Sequence, residues 1–139
     1  PMSLSGPPSS LEQNKRLLLR WLDEAWNHGR REVFHELFAK TGVYHRGSTE
    51  YLGPANFLHF YDIMRGQFSQ FSIKPALTLA EFDLVCVHWS LDCVHTRTRV
   101  SVHVTGTTIC RIKDGQFTEA WQNWDAAGLT AQVPGLFIP

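Results

Sequence analysis

The sequence predicts an α+β domain in which a curved, mostly antiparallel sheet wraps N-terminal helices as a cone-shaped roll or barrel. Two observations carry this. Up to Gly66 the apolar residues recur at helical spacing, and beyond it the period shortens to two. Asp114-Gly115, a strong hairpin pair, then sits between two alternating runs.

Residues 1–10, rich in Ser and Pro, read as a disordered lead-in, with Pro1 ahead of Met2 as a tag remnant. One domain is expected over 11–135, and 136–139 form a tail. Leu18, Trp21, Leu22, Ala25 and Trp26 make one apolar helix stripe, which Gly29 ends. A short second helix buries Val33, Phe34, Leu37 and Phe38. Gly53-Pro54 opens a third, with Phe57, Leu58, Tyr61 and Met64 inward. Phe71 to Leu79 reads as a strand that Pro75 confines to an edge or a bulge. Leu84 to His95 alternates, with Val85, Val87, Trp89, Leu91 and Cys93 toward a core. Thr96 to Arg99 form a turn. Val102, Val104, Gly106, Thr108 and Cys110 share one side of the next strand. Gln116 to Trp124 returns from the hairpin, and Ala126 to Gln132 is a short helical tail.

Composition narrows the function classes. The 139 residues are 43% hydrophobic and 12% aromatic, which excludes a wholly disordered chain. Thirteen basic residues balance thirteen acidic ones, so no excess positive charge is available for a nucleic-acid backbone. Apolar runs are far shorter than the ~20 residues of a membrane helix, and the amino terminus has no secretory pattern. Cys86, Cys93 and Cys110 are odd in number and lack a CxxC pair, as expected of reduced thiols in a cytoplasmic protein. His88, His95 and His103 alternate in face and match no metal motif, so no metal or other cofactor is expected. No GxSxG nucleophile elbow occurs.

Three stretches resemble a known family: Asn14 to Gly29 (NKRLLLRWLDEAWNHG), the Gly53-Pro54 helix start, and Arg111 to Gly128 (RIKDGQFTEAWQNWDAAG). They look like the SnoaL-like polyketide cyclases of the nuclear transport factor 2-like superfamily. The resemblance implies the cone fold. It also implies an aldol-cyclase constellation that this chain does not carry. The catalytic aspartate's position holds Gln122, the histidine's holds Thr108, the glutamine's holds Gly106, and the asparagine's corresponds to His45. A carboxamide has no pKa near neutrality and cannot move a proton as a carboxylate does. The short turn Thr96 to Arg99 also replaces a Gly/Pro-rich insertion, which implies a more open pocket rim.

The expected function is therefore binding of a small hydrophobic molecule, aromatic or polycyclic, in the cone. Any catalysis would be acid/base isomerisation, cyclisation or hydration. His45 and Asp125 are the candidate catalytic groups, although Asp125 has an equally simple role as N-cap of the tail helix. Gln122 and Thr108 would orient the ligand, and Trp89, Trp124, Tyr61 and Trp26 would wall it. An epoxide-hydrolase arrangement would have to draw on Asp92, Arg97 and Asp125. The alternative is a non-catalytic binding or dimerisation module. A homodimer through the outer sheet face, near Ile109, is the expected assembly, with no nucleic acid or membrane partner.

Overall fold

In the computed structural model, which describes residues 10–139, the chain forms four α-helices, one π-helical segment and six strands among the described residues. Most of the expected lead-in lies outside them, but Ser10 opens α1 (Ser10–Arg20). This helix continues as the π-helical segment Trp21–Asn27. Then follow α2 (Val33–Leu37), β1 (Phe38–Arg46), β2 (Thr49–Leu52), α3 (Gly53–Gln67), β3 (Phe68–Glu81), β4 (Leu84–His95), β5 (Ser101–Lys113), β6 (Gln116–Trp124) and α4 (Ala126–Gln132).

The six strands form one sheet in the order β2-β1-β6-β5-β4-β3. The β1–β6 pair is parallel and every other neighbour antiparallel. The sheet curls around the helices without closing, because β2 and β3 remain edges; it is a cone, not a barrel. As an edge strand, β3 tolerates Pro75, where the register with β4 shifts before Leu77.

Two expectations change. Phe38 is not the last turn of the second helix; it begins β1, pairing with Phe117 of β6. The stretch after it, left unassigned by its pattern, is strand through Arg46. A register shift between Phe38 and Val43 breaks the alternation that would have revealed it.

The first helix is also not uniformly α. In an α-helix Trp21 and Trp26 would point ~140° apart. The wider π turn, with i→i+5 bonds, brings residues five apart close to one side. Both tryptophans are therefore buried, Trp21 edge-on to Phe34 at 4.4 Å and Trp26 edge-on to Tyr61 at 4.9 Å. The Tyr61 hydroxyl donates to the Ala25 carbonyl at 2.6 Å within this turn. Asn27, last in the segment, acts as a surrogate strand. Its Oδ1 accepts the Ile73 amide at 2.7 Å and its Nδ2 donates to the Ile73 carbonyl at 3.1 Å. This clamp falls just past the bulge in β3, where Gln70 has φ of +56° and the register shifts between Ser69 and Ser72. Gly29, with φ of +67°, then turns the chain away.

Candidate functional site

The inner face of the sheet and the helices enclose an aromatic cavity. Trp21, Leu22 and Trp26 line it from the first helix, Phe60 and Met64 from α3, and Leu129 from α4. The sheet contributes Phe71 and Ile73 of β3, Trp89, Leu91 and Cys93 of β4, Val104 and Thr108 of β5, and Gln122 and Trp124 of β6. Strand parity explains the sheet side: the inward sets on β4 and β5 are the apolar ones.

The cavity's volume is about 60 Å³. That is well below the ~150 Å³ that holds a benzene. The half-buried rings of Phe71 and Trp124 and the half-buried Leu91 narrow the space, and the β4–β5 turn lines no part of it.

Trp89 is held by two features. Its Nε1 donates to Thr108 Oγ1 at 2.9 Å, a buried contact. Its indole also lies against Gly106, its register partner on β5. A Cβ at Gly106 would come within 2.6 Å of Trp89 Cη2 and 2.8 Å of Trp124 Cβ. Glycine is thus required by close approach. Thr108 and Gln122 are directly paired across β5 and β6, so their side chains reach the cavity side by side. The Gln122 carboxamide and the indole N–H groups of Trp21, Trp26 and Trp124 have no hydrogen-bond partner among the described residues.

No carboxylate, histidine, lysine or arginine lines this cavity. Its one titratable side chain is Cys93, whose thiol is pushed up to about 11, chiefly by burial and secondarily by Asp92. It is a neutral thiol at physiological pH. The site can therefore bind and orient, but has no group to exchange protons near neutrality.

Five expected wall and orienting residues meet there: Gln122, Thr108, Trp89, Trp124 and Trp26. Three others do not. Tyr61 lies behind Trp26, 2% exposed, with its hydroxyl committed to Ala25. His45 is on the opposite face of the sheet. Its neighbour Tyr44 points into the core, so strand alternation turns His45 outward. There its ring stacks on Trp121 at 5.5 Å, Nε2 lies 2.7 Å from Glu119 Oε2, and Nδ1 lies 3.3 Å from Glu50 Oε1. Asp125 is exposed and caps α4, its Oδ1 accepting the Gly128 amide at 2.9 Å. The orphan amides of a helix N-terminus hold that carboxylate away from the cavity. Nor does an epoxide-hydrolase set assemble: Asp92 is on the outer face with His103 at 2.8 Å, and Arg97 is on the β4–β5 turn. No group of three or more potential metal ligands occurs among the described residues.

Leu22, Met64 and Cys93, expected only in the core, also line the cavity, as does Trp21 with the other wall tryptophans. Phe60 was not singled out at all, although it stands three residues after Phe57 and four before Met64, on the buried stripe of α3.

Residues 16–133 match the description of the SnoaL-like polyketide cyclases. The chain belongs to that family. No curated protein sequence matches it. Among solved structures, a protein described as a SnoaL-like polyketide cyclase, from Jannaschia sp. CCS1, superposes with a TM-score of 0.83 at 19% identity, over 96% of this chain and 100% of that one. A protein of ketosteroid isomerase-like fold from Catenulispora acidiphila DSM 44928 gives 0.73 at 15% identity, covering 84% and 90%. An LEH-like epoxide hydrolase from M. tuberculosis gives 0.74 at 14%, covering 89% and 91%. At these identities the likeness establishes the nuclear transport factor 2-like fold and leaves the chemistry to each member's own site. No helix among the described residues is long and apolar enough to cross a membrane.

Proposed function

We propose that this SnoaL-like chain binds a small, flat, apolar molecule carrying one hydrogen-bond-accepting oxygen, and that it does so without acid–base catalysis. The observation that carries this reading is the lining: aromatic and aliphatic walls, with Gln122 and Thr108 together and no proton-exchanging group. The N–H groups of Gln122 and the tryptophans that no protein acceptor engages favour a ligand with a carbonyl or ether oxygen. At about 60 Å³ the cavity holds no aromatic ring unless Phe71, Leu91 and Trp124 move aside, a displacement that a mono- or bicyclic ligand needs least. This is the non-catalytic member of the two expected alternatives, and it is favoured because His45 and Asp125 both stand outside the cavity.

The reading extends to assembly and compartment. A second copy would pack on the outer face, where Leu79, Cys86, Ile109 and Trp121 form a cross-strand row by direct register. Three free thiols, two of them buried, suit the reducing cytoplasm.

The test is a titration of tryptophan fluorescence with 1-indanone, beside indane, which lacks the oxygen. Saturable quenching by 1-indanone, about tenfold weaker for indane and unchanged in His45→Ala and Asp125→Asn, is the expected result. Absence of binding, or turnover of a carbonyl substrate that either substitution abolishes, would overturn it.

A further inference from the structure

A second hollow, of about 460 Å³, lies where the end of α3, the β4–β5 turn and the C-terminal tail meet. This falls within the ~300–1,000 Å³ of small-molecule sites. It is separated from the aromatic cavity by Phe68, whose ring meets His95 edge-on at 5.5 Å. The tail that forms one wall is tied down. Gln67 Nε2 donates to the Phe137 carbonyl at 2.9 Å, and Arg46 donates to the carbonyl oxygen of Pro139. Leu136 packs on the core, while Phe137 is 62% exposed.

The two walls differ in chemistry. Val133, Leu136 and Phe137 make one side apolar. On the other stand His95 and Arg97. The imidazole of His95 is only 5% exposed, and its Nδ1 lies 2.7 Å from Thr98 Oγ1. With the Thr98 hydroxyl donating to Nδ1, the imidazole proton would sit on Nε2. Nε2 has no hydrogen-bond partner among the described residues and is not itself a buried atom, so it is open to the hollow. Arg97 lines the same hollow, no acidic side chain does, and the guanidinium has no carboxylate partner among the described residues.

We propose that this hollow is a second binding site, for a small organic acid. The carboxylate is held by Arg97 and His95 Nε2–H, and the hydrocarbon part rests on Val133, Leu136 and Phe137. Arginine's planar fork suits a carboxylate. An inorganic anion would leave the apolar wall unused. The site is independent of the aromatic cavity and of what that cavity binds.

The experiment is an amide-resolved NMR titration of the whole chain with hexanoate, with hexanamide as the uncharged counterpart, on the parent and on Arg97→Ala. Hexanoate should give saturable shifts at Gln67, Thr96, Arg97 and Leu136. Removing the charge from either side should weaken binding about tenfold or more. Because Arg97 is exposed, the variant should unfold at the parent's temperature. The proposal is overturned by an absence of saturable shifts, by shifts centred on Thr108 and Gln122, or by equal affinity in Arg97→Ala.

Discussion

Gly106 is the residue on which the shape of the aromatic cavity turns. Trp89 can lie across β5 only because nothing projects from the strand at that point. A methyl group there would drive the indole toward the hollow and strain its bond to Thr108. Gly106→Ala should therefore lose about 1–3 kcal/mol, the usual cost of overpacking, and should abolish 1-indanone binding. Chemical denaturation and the fluorescence titration measure the two effects; a variant that keeps both stability and affinity would contradict this packing. The residue scale also shows what the sequence could yield. Trp89 and Thr108 were legible on the inner side because β4 and β5 alternate cleanly, whereas Gln122 came from the family resemblance and Trp124 from its aromatic character. His45 was misplaced because its strand went unread. With Tyr44 recognised as inward, parity alone would have put His45 outside.

At the scale of elements, β4, β6 and α4 were readable to the residue, and α3 from its Gly-Pro start. These segments either keep one period throughout or are bounded by turn-forming residues. β1 and β2 are harder to see: β1 follows α2 with no turn and carries a bulge that breaks its period, and β2, although Gly47 and Gly53 flank it, is only four residues long. The π turn is invisible for a different reason: in an α-helix Trp21 and Trp26 still fall at the two edges of one broad apolar stripe, so the pattern alone does not call for a wider turn. What stabilises that turn lies 46 positions away, in the pairing of Asn27 with Ile73. Asn27→Ala removes both partners of a strand amide and carbonyl, and should cost about 1–3 kcal/mol. Thermal unfolding measures the loss. Asn27→Asp, which retains only the acceptor, should fall between; an alanine variant as stable as the parent would show that the clamp contributes nothing.

For the whole molecule, the core's thiols set an alkaline boundary. Burial raises Cys93 from about 9 to about 11, and Cys110 further, while Tyr44 is raised by the same desolvation. In each case the folded chain retains protons that the unfolded chain releases. Stability from this source is complete below pH 9 and declines as the pH rises through 11. The unfolding temperature should fall across that window, and a Cys93→Ala, Cys110→Ala variant should show a shallower slope whatever its starting stability. A slope identical to the parent's would refute the assignment. The proposed dimer packs on the outer face along the row through Ile109 and Trp121. Light scattering should give twice the chain mass, and Ile109→Lys should restore the monomer; a monomeric parent at high concentration would exclude this contact.

The parallel join of β1 to β6 also bears on how the chain reaches this form. Strands β3 to β6 are a meander whose neighbours follow one another, and β1 with β2 is a hairpin; each can assemble from nearby residues. The two blocks meet along one seam, where His45 faces Glu119 across 74 positions of sequence. Closing so long a loop carries an entropic cost that local pairing does not share. Zipping that seam is therefore the step that turns two independent ribbons into a vessel, and the ligand chamber has no existence before it.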